Sequence, residues 1–591
     1  METRFRVLVD HFKDMEDTSK RTELTSILAH LFSSISVDEI DKVVYLTQGK
    51  LYPDYMGIEL GVADKTIIKA LSKYSGVNES KVIDEYRKAG DLGDAARVVV
   101  EGKRQMSFFS EPLTVLRVYG TLDKIARASG KGSQEIKLSH FLSLLNDADP
   151  DEARYLVKIV LGALRLGVAD YTVLDALAYA RSGTKDAREL LERAYNLSGD
   201  LGLVAATLMK GGEEAVRKIG ITIGRPLRPM LAERVPDINE ALEYMNGGCT
   251  AEYKYDGERV QIHKKGDSVM LFSRRLENIT MHYPDIVKAA INNIKADEVI
   301  VEGEAVAVDQ NTGEFFPFQE LMHRRRKYGI EEAMEVYPVT LFLFDIMYLN
   351  GRQLIDMSLT ERRRILWETV NISDKVQFAT HMETKDAEKL ETFMDQAITD
   401  GCEGLMLKDT DSPYRAGARG FSWIKLKRDY QGELGDTLDL VIVGAFYGRG
   451  RRAGAYGTLL TAVYDPDTDS FYTVSKVGAG LTDKDLESFP KILDPHRIPH
   501  RHARVFSNLE ADVWLEPKVV IEVQAQEITL SPVHTAAFGV IKEGAGLALR
   551  FPRFTGKVRD DKGPEDATTV KELVEMYRNQ KKKPLTSGTG P

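Results

Sequence analysis

A chain of 591 residues is too long for one hydrophobic core, so three or four domains are expected. Apolar residues make up 43% and charged residues 29%, the balance of a soluble globular protein, and no run of about 18 apolar residues could span a membrane. Two cysteines, Cys249 and Cys402, exclude a disulfide framework and a four-cysteine zinc site and point to a reducing, cytoplasmic setting, while a net charge of −10 requires any polyanion-binding surface to be gathered on one face.

Residues 1 to about 215 read as all-α. Asp149 followed by Pro150 makes a helix start, with Leu156, Ile159, Val160 and Ala163 on one face and Gly167 as the stop. An internal echo lies in this region. Gly61-Val-Ala-Asp-Lys-Thr-Ile-Ile-Lys-Ala-Leu71 and Gly167-Val-Ala-Asp-Tyr-Thr-Val-Leu-Asp-Ala-Leu177 share Gly, Val, Ala, Asp, Thr, Ala and Leu at the same spacing. Each reads as a glycine turn, an Asp cap and a new helix, so two pseudo-symmetric halves are expected, presenting helix N-termini to anions; the competing reading is a recurrent packing unit without a ligand.

Gly211-Gly212 through Gly224-Arg-Pro-Leu-Arg-Pro229 reads as a linker. Residues 220–430 alternate short β runs with helices, as at Val299-Ile-Val301, Val339–Phe344 and Leu405-Met-Leu407, an α+β pattern. Over 431–591 strands dominate: Asp439–Gly444, the hairpin around Asp465-Pro-Asp467 and Lys518–Val523 predict a small β-barrel, closed by a helix near Thr568–Asn579. Basic clusters stand at His323–Lys327, Arg362–Arg364, Lys425–Arg428 and Gly448–Arg452; a solvated helix face is the plain reading of Arg362–Arg364.

Glu252-Tyr-Lys-Tyr-Asp-Gly-Glu-Arg259 contains Lys-x-Asp-Gly-x-Arg. A lysine among strand-like aromatics is a candidate covalent nucleophile, Asp-Gly allows a tight turn after it, and Arg259 can hold a phosphate. An amine with its usual pKa of about 10.4 is protonated and cannot attack, so the site must depress it. Lys425 and Lys427, brought near, would do so by like-charge repulsion, as would a bound magnesium.

Further motifs follow in order: Phe272–Thr280 with Tyr283-Pro-Asp285, Val301–Val306, Leu343–Gly351, Glu403–Asp409, Tyr414–Lys427, Arg550-Phe-Pro-Arg-Phe554, and Arg559-Asp-Asp-Lys562. Together with the lysine motif they resemble the covalent nucleotidyltransferases and, within them, the archaeal and eukaryotic ATP-dependent DNA ligases. The resemblance covers nearly the whole chain. It implies an N-terminal helical DNA-binding domain (1–215), an adenylation domain (220–430) and an OB-fold barrel with a C-terminal helix (431–591).

The same resemblance implies an enzyme that seals nicks in duplex DNA in replication, repair and recombination, with ATP and Mg2+ as cofactors and Mn2+ as a substitute. Lys254 would carry the AMP, Glu252 would read the adenine amino group, and Phe344 would stack on the ring. Arg259 and Arg274 would contact ribose or phosphate, Glu304 the ribose hydroxyl, and Arg419, Lys425 and Lys427 the phosphates. Glu403 would face the metal, and Arg559 and Lys562 would reach the departing pyrophosphate. Glu302 stands where the family often has Asp and is left out of the set. Gln105-Met-Ser-Phe-Phe109 resembles a shortened box for a sliding clamp (PCNA), with Gln105, Phe108 and Phe109 as anchors; the alternative is that both phenylalanines pack in the helical core. The expected state is a monomer. An NAD-dependent ligase, an RNA ligase, a capping guanylyltransferase and a catalytically dead DNA-binding scaffold are the rival readings.

Overall fold

A computed structural model describes residues 2–102, 111–235, 237–245, 249–309, 313–316, 318–324, 329–427, 437–448 and 455–580. Gln105, Phe108 and Phe109 lie outside them. The chain divides into two compact units, Met1–Pro229 with Phe272–Asn278, and Met230–Leu271 with Ile279–Pro591.

The first unit is helical. One half holds α1 (Phe5–Glu16), α2 (Arg21–Ser34), α3 (Ile40–Thr47), α4 (Asp64–Ser75), α5 (Glu79–Ala89) and α6 (Leu92–Glu101). The other holds α7 (Val115–Arg127), α8 (Ser133–Asp147), α9 (Pro150–Val160), α10 (Asp170–Ser182), α11 (Arg188–Ser198) and α12 (Leu201–Arg217). The halves exchange their packing reciprocally: α4 lies on α8 and α10 on α2, while α6 lies on α9 and α12 on α3. Their starts are tied by a symmetric pair of bonds, Phe5 N–H to Leu113 O (2.8 Å) and Val115 N–H to Thr3 O (2.9 Å). One apolar core runs through both.

The echoed segments occupy equivalent places, entering α4 and α10 through Gly61 and Gly167, whose φ of +55° and +69° suits glycine. The Tyr195 hydroxyl donates to Asp170 (2.6 Å), as that of Tyr86 does to Asp64 (3.5 Å). At α9 the Asp149 cap forms a full capping box: Asp149 accepts from the N–H groups of Asp151 and Glu152, and Glu152 accepts from that of Asp149. Leu156, Ile159 and Val160 are buried as the periodicity requires. The stop differs: α9 ends at Val160, so Ala163 lies beyond it, and Gly167 serves the next turn instead.

The second unit contains two sheets that frame the candidate site. The first runs β1 (Leu231–Arg234), β11 (Arg419–Lys427), β10 (Gly404–Asp409), β2 (Cys249–Lys254), β9 (His381–Thr384). The second runs β4 (Ser268–Ser273), β3 (Glu258–Lys265), β5 (Glu298–Ala307), β6 (Val339–Leu349), β7 (Arg352–Gln353), with β8 (Val376–Phe378) on β6. A shared core of Tyr253, Tyr255, Val306, Phe342, Leu405 and Leu407 joins them, and Tyr255 stacks on Phe342 at 4.4 Å between centroids.

Residues 437–448 and 455–580 are strand-rich. Leu438–Tyr447, Tyr456–Asp465 and Ser470–Val477 form an antiparallel run, extended through Val520–Gln524 to Arg553–Val558. The helix Val570–Gln580 closes the described chain. No described helix is long and apolar enough to cross a membrane.

Candidate active site

Strand alternation sorts the lysine motif. Tyr253 and Tyr255 turn into the core, which leaves Glu252 and Lys254 on the other face of the sheet. Across the ladder Lys254 pairs with Gly404 and Gly404 with Lys427; one step along, Glu252 pairs with Met406 and Met406 with Lys425. Glu252, Lys254, Lys425 and Lys427 therefore share a face. The chain bends at Asp256-Gly257 between β2 and β3, without a left-handed φ at Gly257. Its requirement is space, since a Cβ there would stand 2.5 Å from the Ala305 carbonyl oxygen.

The Lys254 Nζ donates to Glu403 Oε2, and the Lys427 Nζ lies 2.6 Å from the same oxygen. The Glu403 N–H donates to the Lys254 carbonyl (2.8 Å), fixing both residues by their backbones. Burial pushes the Glu403 carboxyl up, but Lys254 and Lys427 outweigh it and hold it below the ordinary range. Neighbouring Asp256 goes the other way: burial raises its carboxyl, the Phe318 N–H (3.2 Å) opposes, and Glu403 adds to the rise.

Arg259 on β3 is gripped at two points by Glu302 on β5, Nε to Oε1 at 3.0 Å and Nη2 to Oε2 at 2.8 Å. The Tyr414 hydroxyl donates to Glu302 Oε2 (2.9 Å), and Arg259 Nη1 donates to the Met230 carbonyl (2.8 Å). Burial pushes the Tyr414 phenol well above its ordinary value, with Glu302 adding to it. Glu302, omitted from the expected set, thus positions the arginine inside it. Glu304 pairs with Arg259 across the ladder, and loss of hydration pushes its carboxyl up to about 8, against the pull of Lys254 and Arg259.

Glu252 is 2% exposed and sits between two cations. Arg363 Nη1 donates to its Oε1 (2.8 Å), and Lys408 Nζ lies 2.6 Å from its Oε2. The Lys408 ammonium stands 4.2 Å from the centroids of both Phe344 and Trp423. Phe344 falls where the β5–β6 register slips from Asp345 to Leu343, a bulge that turns its ring toward Arg259 (5.5 Å). The Arg362–Arg364 cluster is not a solvated face. Arg362 is fully buried on Asp345 (2.8 and 3.0 Å), Arg363 is buried on Glu252, and Arg364 alone of the three is exposed.

Not every expected residue joins this cluster. Arg419 starts β11 opposite Leu231, at the far end of that strand from Lys427. Arg274 is exposed on the turn after β4, in the segment grouped with the first unit. Arg559 Nη1 lies 3.0 Å from Asp439 and Lys562 Nζ 2.7 Å from it, so among the described residues both are paired within the C-terminal region rather than with the Lys254 cluster. A 760 Å3 cavity lined by Tyr253, Phe342, Asp400, Lys476 and His534 does not include Lys254. Among the described residues no group of three or more His, Cys, Asp or Glu forms a metal cage. Glu403, beside Asp256, offers the one or two hard oxygens that suffice for magnesium when phosphate and water complete its shell.

Family models match along the chain: DNA ligase N terminus over residues 4–178, ATP dependent DNA ligase domain over 229–427, and ATP dependent DNA ligase C terminal region over 452–562. The chain is similar to DNA ligase 2 of Thermofilum pendens, at 54% identity with 98% of each chain covered. It is similar also to the DNA ligases of Nitrosopumilus maritimus (52%) and Caldivirga maquilingensis (50%), again with 98% of each chain covered.

Proposed function

The chain belongs to the ATP-dependent DNA ligases, and from that membership we propose that it seals nicks in duplex DNA through an AMP carried on Lys254. The observation that carries this assignment is the convergence of Lys254, Glu403 and Lys427 beside the Arg259–Glu302 pair.

The Lys254 ammonium loses a proton to water, leaves Glu403 and attacks the α-phosphorus of ATP as the free amine. A P–N bond forms, the α–β phosphoanhydride breaks, and pyrophosphate departs. An oxygen of the nick's 5′-phosphate then displaces the lysine from the AMP phosphorus. Finally the 3′-hydroxyl attacks the activated 5′-phosphorus, losing its proton as AMP leaves. Arg259, fixed by Glu302, and Lys425 and Lys427 bind phosphate oxygens; Glu252 accepts from the adenine amino group, with Phe344 against the ring; Glu304 meets the ribose. A magnesium ion held by Glu403 and phosphate oxygens would stabilise developing negative charge, a role manganese can share.

The remaining roles are part of the same proposal. Residues 1–215 act as the DNA-binding domain: α4 and α10 begin at Asp64 and Asp170, so Ala63 and Ala169 rather than the expected Asp stand at their N-caps, and without side-chain caps their backbone amides are left for duplex phosphates. Residues 220–430 are the adenylation domain and 431–591 an OB-fold that delivers Arg559 and Lys562 to pyrophosphate. The Gln105–Phe109 stretch is the contact for a sliding clamp. Arg274 contacts ribose or phosphate, and Arg419 holds the phosphates.

A pulse of α-labelled ATP followed by a chase with nicked duplex tests the assignment. Label should pass from protein to DNA and then to free AMP as the nick closes; label that never leaves ATP would exclude it.

A further inference from the structure

We propose that Arg363 is a specificity-positioning residue that keeps Glu252 an acceptor-only reader of the nucleobase. This rests on the reading above in which Glu252 meets the adenine amino group.

The geometry around Glu252 is over-determined. Arg363, 4% exposed, gives Nη1 to Oε1 at 2.8 Å, and Lys408 stands 2.6 Å from Oε2. The guanidinium lies over the Trp367 ring at 5.4 Å, and Trp367 stacks at 5.6 Å on His381, the ladder partner of Glu252. The helix Leu359–Thr369 that carries Arg363 cannot drift. Its neighbour Arg362 is locked to Asp345 and to the carbonyls of Met357 (2.6 Å) and Ser412 (3.1 Å). A carboxylate in so apolar a place needs paired cations, and two are supplied.

The chemical consequence is directional. An ionised carboxylate accepts and never donates. Two of its lone-pair positions are taken by Arg363 and Lys408, which leaves acceptors of fixed direction for a donor on the base. The amino group at C6 of adenine donates; the oxygen at C6 of guanine accepts and would meet lone pair with lone pair. Removing Arg363 frees one oxygen to rotate, which weakens the rejection of a C6 carbonyl.

The test measures formation of the lysyl-nucleotide on the full chain with ATP, GTP and purine riboside triphosphate, which lacks any C6 substituent. Wild type should favour ATP over both. Arg363→Gln should lower the ATP-to-GTP ratio of kcat/KM about tenfold or more, the scale of one hydrogen bond to a charged group, and Arg363→Lys should restore most of it. Trp367→Leu, which keeps the Arg363–Glu252 pair but removes the ring under the guanidinium and beside His381, should give a smaller fall and serves if Arg363→Gln does not fold. Slower labelling with an unchanged base ratio in these variants would make Arg363 a structural ion-pair partner only and overturn the proposal. A wild type that takes purine riboside triphosphate as readily as ATP would instead overturn the role of Glu252.

Discussion

Lys254 and Lys427 share one oxygen, Oε2 of Glu403, although 173 residues separate them in the chain. Paired strands account for this: β2, β10 and β11 put Lys254, Gly404 and Lys427 in one ladder row. The proposed nucleophile thus starts as one arm of a three-charge cluster, and on that proposal Lys427 meets phosphate once the amine moves. Lys427→Met should slow lysyl-AMP formation on the order of 10²-fold, as for loss of one pre-set electrostatic group. Single-turnover labelling with α-labelled ATP measures it, and a rate within twofold of wild type would remove Lys427 from the chemistry.

The Arg259–Glu302 grip makes Glu302 a stability residue as well as a positioning one. Glu302→Gln leaves Arg259 underpaired beside the Phe344 and Trp423 rings and should cost about 3–5 kcal/mol in urea unfolding, the usual penalty for breaking a buried pair. Tyr414→Phe removes one hydrogen bond to the same carboxylate and one from the Met230 N–H (3.1 Å), and should cost about 2 kcal/mol. Equal losses from the two changes would contradict this ranking.

Asp439 holds both Arg559 and Lys562. If those cations serve only the pyrophosphate-releasing step, Arg559→Ala and Lys562→Ala should each slow self-adenylation by roughly 10²-fold or more. Sealing of a nick supplied with its 5′-adenylate should stay near the wild-type rate. Parallel losses in both assays would place these residues elsewhere in the cycle.

Glu304 predicts a pH effect. Its carboxyl is pushed up to about 8 in the folded chain, whereas an unfolded glutamate titrates at about 4.3. Between those values the folded state holds the extra proton, so stability falls as pH rises from about 4.3 to 8 and levels above it. Glu304→Gln should flatten that part of the Tm-against-pH curve. A variant whose curve runs parallel to wild type would show that Glu304 does not titrate there.

Much of the site could be read from the chain because strands convert spacing into facing. Glu252 and Lys254, two apart, had to share a face, and the Ile424-Lys425-Leu426-Lys427 alternation did the same for β11. What stayed hidden were partners whose pairing depends on tertiary neighbours. Arg363 looked like one of three surface arginines, yet its helix turns it onto Glu252 and leaves Arg364 outside. Glu302 stands where the family often has Asp, which gave no sign that the β3–β5 register sets it diagonal to Arg259 on the same face. In both cases the missed signal was a carboxylate in an apolar strand, Glu252 and Glu302, which had to find a counter-charge somewhere. The stop of α9 was misassigned for a local reason, as Gly167 belongs to the repeated turn that launches α10.

Intact-mass and peptide mass spectrometry after incubation with ATP and magnesium tests the covalent step most directly. The account predicts an adduct of about 329 Da, one AMP less water, on the peptide containing Lys254, absent from Lys254→Ala and lost on adding nicked duplex. An unmodified Lys254, or the same adduct persisting in Lys254→Ala, would contradict it.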